Sequence, residues 1–484
     1  MSKAVVFGVA TVAVLGGVYL GAAAYSGSMV QKEYEVALDE VTQALPFLRV
    51  VDRQYDKGLF SASATYGLQL GCASPEDEGG GKFVTLTFRD SIAHGPLPGF
   101  SSVGLARIDT QIVLPENAPE SLRQWIGGMK PEAIRTAIDF GGATHTRVEL
   151  PAGEIKNDNA RLHWQAMRAG FRMNSGRTAS SAEFELPEIA IDARSKEGES
   201  IRFRLVNLRG QSASEFSGPN WSTGNGSGSG TTTLDQVQLA FSKGNVQVDL
   251  SQLKFTAEQK MENDLLGTSA SFTGTASVKV GERTIVLDKI ELQESMKRLH
   301  APTLHKIVLG FWQELGGVCG KTPADFAQSM EEKQLAMLFG MKELLTHNPE
   351  YSVDKIAVTY ESQEGRLAYS VAADGITSED LHQPDLLLGK IITKGSARLP
   401  IAWLAKITSE IKGGQAMPQE MVDATIGELV GTGYVTREGD FIVTTTLFER
   451  GQLTINGKPF NTGALLGLKR PGQQDDVEEE ESED

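Results

Sequence analysis

Ser409 and Lys412 are the residues whose types and spacing come nearest to a catalytic pair. On a helix, their separation places a nucleophile and its base one turn apart, as in penicillin-recognising enzymes. The Lys-Thr-Gly and Ser-Asp-Asn elements of that motif are missing, and no Gly-x-Ser-x-Gly elbow occurs. The stretch 316–322 resembles a phosphate-binding loop, but its first glycine is misplaced and the preceding pattern indicates a helix instead of a strand. We therefore predict that the protein is not an enzyme.

The histidines and cysteines do not follow a metal-binding pattern. His300 and His305 are separated by about 140° around a helix and have Pro302 between them, so they do not share one face. The two cysteines of the chain are too few for a Cys-only zinc or iron–sulfur site. We predict no metal and no cofactor.

Cys72 and Cys319 have two interpretations, and the sequence leaves both open. In an oxidising compartment they can pair as a disulfide, which stabilises a chain by up to roughly 5 kcal/mol when it closes a loop of this length. They can equally remain two separate, partly buried thiols.

The most distinctive local motif is His94-Gly95-Pro96, within a Pro- and Gly-rich corner. One interpretation makes His94 a proton donor or a contact at the rim of a cleft. The interpretation we favour is structural: the imidazole anchors an ordered turn by a hydrogen bond.

The N-terminal residues contain the strongest signal of the sequence. No charged residue occurs between Lys3 and Lys32, and the intervening apolar run is long enough to span a bilayer as a helix. We predict a transmembrane helix over residues 4–26. The alternative is a signal peptide that is cleaved after the small residues 22–24.

The charge that flanks the apolar run predicts on which side of the membrane the rest of the chain lies. Because Lys3 is the single charge before the apolar run, a short N-terminus stays in the cytoplasm and the remaining chain lies outside. In a bacterium this means a single-pass inner-membrane protein with its bulk in the periplasm. Gly17 and Gly21 form a GxxxG pair, which is typical of paired membrane helices and indicates a homodimer.

The charge balance argues against nucleic acid as a partner. With 46 Lys and Arg against 62 Asp and Glu, the net charge is −16. Eight of the acidic residues lie within the last ten positions, so half of the excess belongs to a tail, residues 471–484, that we predict to be disordered. Such a tail usually only solvates the chain, although a basic partner is an open alternative.

Period-2 alternation dominates the remaining chain. From Thr268 to Val280, apolar or small residues alternate with polar ones without a violation. We predict an α+β, β-dominated fold with long curved antiparallel sheets and inserted helical pairs. The Gly- and Ser-rich stretch Ser217–Thr231 is interpreted as a flexible loop or linker.

That linker divides the predicted regions. An N-terminal β-rich region covers residues 29–216, with a helical insert at about 117–140. A C-terminal β-rich region covers residues 232–465, with helical inserts at about 296–347 and 399–430.

The strands also suggest a ligand site. Small residues such as Ala276 leave room against a ligand chain, and Phe241, Phe255 and Phe272 are candidates to line an apolar groove. Lipid or another acyl-bearing molecule is the expected ligand. The competing interpretation is that these faces pack against helices as an ordinary core.

Three motifs support a family resemblance: residues 55–61 (Tyr-Asp-Lys-Gly-Leu-Phe-Ser), 94–98 (His-Gly-Pro-Leu-Pro) and 451–458 (Gly-Gln-Leu-Thr-Ile-Asn-Gly-Lys). With the N-terminal apolar helix, the chain resembles the bacterial YdgA-like family of unknown function over nearly its whole length. The resemblance implies an inner-membrane-anchored periplasmic protein without accepted enzymatic activity. The first motif is also similar to hairpins of AsmA-type envelope proteins, whose extended sheets form apolar grooves linked to lipid movement; this is an architectural analogy.

These observations lead to one functional expectation and one alternative. We expect a non-enzymatic envelope protein that binds lipid or another hydrophobic ligand in a β-sheet groove. The alternative is a periplasmic scaffold or assembly factor that acts through contacts with an envelope protein partner.

Overall fold

The computed structural model describes residues 3–460 with the exception of 45–47, 71–83, 116–117, 119, 196–197, 217–225, 317–341, 404–405 and 407–418. The main α-helices within these ranges are α1 (Lys3–Ala44), α2 (Glu120–Gly127), α3 (Ala301–Gly316), α4 (Pro384–Gly389) and α5 (Gln419–Thr432).

The described residues form 22 strands in one sheet. The first nine are β1 (Leu48–Lys57), β2 (Ser61–Leu70), β3 (Val84–His94), β4 (Ala106–Val113), β5 (Ile134–Ile138), β6 (Thr144–Leu150), β7 (Gly153–Lys156), β8 (Ala160–Trp164) and β9 (Met167–Met173). Six long strands follow: β10 (Ala179–Arg194), β11 (Ser200–Phe216), β12 (Gly226–Phe241), β13 (Val246–Glu262), β14 (Leu265–Val280) and β15 (Arg283–His300). The last seven are β16 (Glu350–Tyr360), β17 (Gln363–Ala373), β18 (Ile391–Pro400), β19 (Thr436–Glu438), β20 (Phe441–Glu449), β21 (Gln452–Ile455) and β22 (Lys458–Phe460).

Most strands pair with their neighbours in sequence, and all pairings are antiparallel. The exceptions are local: β6 pairs with β9, the two halves of β10 pair with β9 and β8, and β18 pairs with β20. The sheet is therefore a long meander, which confirms the predicted β-dominated, antiparallel fold.

Helix α1 packs on one face of this sheet, which we call the inner face. Val30 is buried among small and branched residues of β2, β3 and β4. Further along the helix, Arg53 of β1 donates to Asp39 at 2.6 Å, and Arg177 in the β9–β10 turn forms ion pairs with Glu33 and Glu40. Because strands far apart in the sheet reach the same part of α1, the sheet curves around the helix.

A close approach between the helix and the sheet depends on one glycine. His94, at the end of β3, is 1% exposed, and its imidazole lies against Gly27 of α1. A Cβ atom at residue 27 would lie 2.5 Å from His94 Cε1. The Nδ1–H of His94 donates to the carbonyl oxygen of Ala23 at 3.1 Å, which fixes the ring on the helix backbone.

A single left-handed residue within some long strands changes which positions face inward, and this keeps the inner face apolar along the whole strand. In β11 the apolar inward residues are Leu205 before Asn207 and Leu208 after it, so the inward positions switch from odd to even. Asn207 lies between them at a φ of 54°, and Gln252 of β13 has a φ of 53°. Such a left-handed residue interrupts the period-2 alternation of a strand. Strands of 16–18 residues can therefore present one apolar face.

The opposite, outer face carries ion pairs. Arg135 donates to Asp109 at 2.6 Å, and Glu291 lies 2.8 Å from the ammonium of Lys289 and 2.9 Å from that of Lys355. These two hydrogen bonds, first that from Lys289, lower the pKa of Glu291 to about 2. The two faces of the sheet thus differ sharply in polarity.

Several predicted boundaries differ from those of the observed elements. The predicted helical insert 117–140 is helical only in α2, because residues 134–138 pair between β4 and β6 as β5. The Gly- and Ser-rich stretch is not a loop throughout: residues 226–231 belong to β12, and β11 and β12 pair across the predicted linker. In the predicted insert 296–347, β15 continues to His300 before α3 begins, and in the insert 399–430, β18 ends at Pro400.

The predicted span 4–26 lies within α1, which continues without interruption past residue 29, the predicted start of the first β-rich region. Within the part of the chain that the structure describes, no helix is both long enough and apolar enough to cross a membrane.

The contact between His94 and Gly27 leads to a first prediction. Gly27→Ala should lower the free energy of unfolding by about 1–3 kcal/mol, because a methyl group forces apart a tightly packed helix and sheet. Gly310→Ala in α3 is the control, since its Cβ would meet nothing within 4 Å and alanine favours the helix. Urea denaturation followed by circular dichroism measures both. Equal effects at the two positions would contradict the proposed packing constraint.

Candidate ligand-binding face

Phe255 and Phe272 face each other on neighbouring strands of the inner face. They are directly opposite partners in the β13–β14 ladder, so their side chains project to the same side. Ala276 lies four residues further along β14, about 13 Å away, and pairs with Leu250. Phe241 pairs with Val246 at the far end of β12, about 30 Å from the residue opposite Phe255. The four candidates thus share one face, but only Phe255 and Phe272 are neighbours.

The two phenylalanines belong to a row of mutually paired residues that crosses the sheet. Starting from β1, the row is Tyr55, Ala64, Asp90, Thr110, Ile134, Val148, Ala169, Phe184, Gly210, Thr232, Phe255, Phe272, Leu292, Ile356, Leu367, Ala397 and Thr444. Strands lie about 4.8 Å apart, so the row follows about 75 Å of sheet. From Phe184 to Ala397 every member is apolar except Thr232.

The middle of this row is open to solvent among the described residues. Phe184 is 40% exposed, Phe255 45% and Leu367 41%. Phe184 lies flat over Gly210, where any side chain would collide with its ring. Ile191, Ile201 and Ile285, which lie on the inner face near those ends of the long strands that point away from the cavity, are also exposed. The long strands therefore carry an unusually large apolar surface.

A cavity of about 410 Å³ lies on the same face beside the two phenylalanines. Small residues of neighbouring strands, among them Gly228, Gly230, Ala257 and Ala270, form its floor. Glu294 and Met296 of β15 also line it. The sequence interpretation missed this feature because the alternating glycines were read as a linker. Their spacing of two residues was the available signal, since it puts all of them on one face of a strand.

Two carboxylates line the cavity, Glu258 of β13 and Glu294 of β15, and the second of them accepts a hydrogen bond. Tyr351 of β16 donates its hydroxyl to Glu294 at 3.3 Å. Its hydrogen bond with Tyr369, together with burial and the charge of Glu294, raises the pKa of Tyr351 to about 12. The phenol consequently remains a neutral donor at physiological pH.

Helices cover both ends of the inner face. At one end, α1 lies over β1–β4. At the other end, α5 buries Ile442 of β20 with Val422 and Ile426, and the indole of Trp403 lies over Gly365. The exposed apolar surface lies between these two covered regions.

A polar contact marks the end covered by α1. The Tyr34 hydroxyl of α1 donates to Asp90 Oδ2 at 2.6 Å, and Asp90 is 2% exposed. Burial raises the pKa of Asp90 above its ordinary value, which hydrogen bonds from Thr110 and Tyr34 only partly oppose. Burial also raises the pKa of Tyr34, with Asp90 as the second cause.

The His94-Gly95-Pro96 corner lies against α1, at the covered end of the inner face and away from the exposed part of the row. His94 bonds to α1 and not to its own turn, while Gly95 has a φ of 115° and lies against Ala23. The Nε2 atom of His94 is buried without a hydrogen-bond partner. This position lies within the packed helix–sheet contact instead of at a cleft rim.

The remaining candidate residues are scattered or fall outside the described ranges. Cys72, Cys319, Ser409, Lys412 and the acidic tail lie outside them. The His300 ring stacks on His347 at 4.1 Å. Among the described residues, no group of three or more His, Cys, Asp or Glu side chains is arranged to hold a metal ion.

Comparison with known proteins yields one family. Residues 1–462 match the model of a family described as "Bacterial protein of unknown function (DUF945)". No curated protein and no solved structure matches the chain.

The buried carboxyl predicts an unusual pH dependence. Because the folded pKa of Asp90 is raised, the folded state binds more protons, so Asp90 reduces stability as pH rises from its unfolded pKa of about 3.9 through the folded value. Asp90→Asn should therefore gain stability relative to the unmodified chain over this window. Urea midpoints between pH 4 and pH 8 measure the difference.

Asp380→Asn serves as a control of opposite sign. Hydrogen bonds, first that from Lys390, lower the pKa of Asp380 to about 2, so its contribution is present above pH 3.9 and is lost as pH falls towards 2. Asp380→Asn should lose stability at neutral pH. A difference between Asp90→Asn and the unmodified chain that stays constant with pH would show that Asp90 is not buried as described.

Proposed function

Because the chain belongs to DUF945, a bacterial family whose function is unknown, we propose its function from the geometry of the inner face. The protein is a non-enzymatic envelope protein that binds the acyl chain of a lipid, or a similar hydrophobic ligand, on its long strands. Residues 4–26 anchor it in the inner membrane, and the bulk of the chain lies in the periplasm. The likeness to YdgA-like and AsmA-type proteins agrees with this proposal as a resemblance.

One observation carries the proposal: the mutually paired, mostly apolar row on β10–β17, in which the exposed members are Phe184, Phe255, Ile356 and Leu367. Soluble domains rarely expose large continuous apolar patches unless they bind something apolar. The outer face of the same strands carries ion pairs, so the asymmetry does not follow from composition. An extended apolar molecule removes this surface from water at a gain of roughly 25 cal/mol for each Å² buried.

The shape of the surface supports a chain-like ligand. Its apolar residues follow a line across the strands, and the adjoining cavity of about 410 Å³ falls within the size range of small-molecule sites. Phe255, Phe272 and Phe184 provide broad hydrophobic contact, while the small residues beside them leave space. Such contacts bind hydrocarbon with little selectivity for a headgroup.

Membrane anchoring is supported by the sequence. The chain has no charge between Lys3 and Lys32, and α1 continues directly from this segment onto the inner face. A ligand taken from the bilayer would therefore meet a face that begins beside the anchor. Dimerisation through Gly17 and Gly21 stays a prediction.

Site-specific photocrosslinking tests the ligand. A benzophenone amino acid at position 255 should capture an acyl-bearing molecule in living cells, because this residue is 45% exposed on the inner face. The same amino acid at position 286 is the matched control, since Val286 is 48% exposed and pairs with Ser277 on the outer face. Intact-mass analysis of the purified full-length chain identifies the adduct.

Each result favours one function. A lipid adduct at 255 and none at 286 supports lipid binding. A specific protein adduct in place of the lipid would favour the scaffold alternative, and equal lipid capture at both positions would contradict a dedicated face.

A substitution extends the test. Phe255→Ser should reduce the lipid that remains bound to the purified chain, because it removes an aromatic ring from the centre of the row. Val286→Ser should leave it unchanged. Both residues are half exposed, so each change should alter the free energy of unfolding by less than about 1 kcal/mol. Full-length protein is required, because truncation at residue 29 would remove the Ala23 and Gly27 contacts of His94.

A further inference from the structure

A second group of exposed apolar side chains lies in the loops that join β1 to β2 and β3 to β4, apart from the inner-face row. Phe100 is 81% exposed and Val103 74%. Leu59 and Phe60, at the tip of the β1–β2 hairpin, and Leu97 are also exposed. We call these five residues the apolar collar. Large apolar side chains at adjoining loop tips indicate an interaction surface.

The collar loops contact one short segment of α1, residues 19–23. The Tyr19 ring of α1 stacks between collar residues, with centroid distances of 5.8 Å to Phe60 and 6.2 Å to Phe100. One turn further along the helix, Ala23 lies against Gly95 at the base of the loop. Two separate loops thus meet the helix at residues 19–23.

Hydrogen bonds hold the loop that carries most of the collar. Gly95 donates to Leu105 at 3.0 Å, and Phe100 donates to Leu97 at 3.0 Å. Phe100 has a φ of 55°, which is unfavourable for an aromatic residue and persists only when the surroundings enforce it. The exposed ring is therefore held outward by the backbone.

The continuation of α1 identifies what the collar meets. From Tyr19 towards the N-terminus, the helix contains residues 4–18, which are apolar or small apart from one threonine and carry no charge. At 1.5 Å per residue they extend about 22 Å beyond the collar. The collar lies where this uncharged stretch ends and the folded body begins, and aromatic side chains are enriched at that depth of membrane proteins.

The charges beside the collar fit the same environment. Lys57, at the end of β1, donates to Ser28 of α1 at 2.6 Å. Arg107 bonds with Ser101 in the loop, and its guanidinium also pairs with Asp109 at 3.2 Å. Cations next to apolar side chains suit a surface of anionic headgroups.

We propose that the apolar collar inserts into the interfacial layer of a lipid bilayer, around the point where α1 enters it. This inference rests on the membrane anchoring in the proposed function. It gives the collar a specific role: two loops and the helix fix the sheet at a set angle to the membrane, so the inner face begins at the lipid surface. A second copy of the chain on the collar is the competing occupant.

Depth measurements with spin labels test the proposal. Nitroxide-labelled cysteines at positions 100 and 103 are introduced into the full-length chain with Cys72→Ser and Cys319→Ser. The protein is reconstituted in nanodiscs of phosphatidylethanolamine and phosphatidylglycerol. Position 286 is the matched control, because Val286 is 48% exposed and lies on the outer face, towards the ends of the strands that are opposite to the collar. The ratio of collision rates with oxygen and with a nickel chelate should be severalfold higher at 100 and 103 than at 286.

The alternatives give different results. Equal ratios at 103 and 286 would overturn the proposed insertion of the collar. Spin–spin broadening at 103, with protection from both quenchers, would show a second copy on the collar and would also overturn the proposal. Flotation of the unlabelled chain with liposomes distinguishes failure of the proposed anchor from failure of the proposed collar insertion. A chain that does not float contradicts both proposals. A chain that floats while positions 100 and 103 remain in water contradicts the insertion of the collar alone.

Discussion

The packing of α1 onto the inner face is the constraint on which the other features depend. Gly27 lets the helix approach closely enough for His94 to bond to its backbone, and Tyr34 satisfies one oxygen of the buried Asp90. A buried carboxyl without such a donor is costly, so the helix and the sheet specify each other's position. Ion pairs from Arg177 to the helix then curve the sheet around it.

The same face changes its role along the sheet without a break in pairing. Under α1, small and polar residues such as Ala64 and Asp90 make a covered core. Five strands and more away, Phe184 and Phe255 occupy equivalent positions of the same row, and both are exposed to solvent. A helix and a bound hydrophobic ligand both remove an apolar sheet face from water, and both gain free energy from the same hydrophobic effect. One face can therefore be an ordinary core under α1 and a ligand groove further along the sheet.

Much of the architecture was predictable because it depends on local patterns. Unbroken period-2 alternation in residues 268–280 predicts β14 directly, and such strands with turn glycines indicate an antiparallel sheet. The same rules failed where sheet pairing overrides local composition. Residues 134–138 become a strand because β4 and β6 flank them, and the glycines at 226–230 join β12 because β11 and β13 supply hydrogen bonds on both sides.

The sequence alone determined the β-rich class, the antiparallel pairing and which residues of a strand project to the same side. These features depend on the alternation of neighbouring residues, which is visible in the sequence. Only the tertiary structure decided which aromatic residues become neighbours. Phe255 and Phe272 meet because of strand register, whereas Phe241 lies about 30 Å away. Register and helix docking also brought His94 to Gly27 and Tyr34 to Asp90. Contacts between residues far apart in sequence depend on the summed packing of the whole sheet, which no local pattern contains.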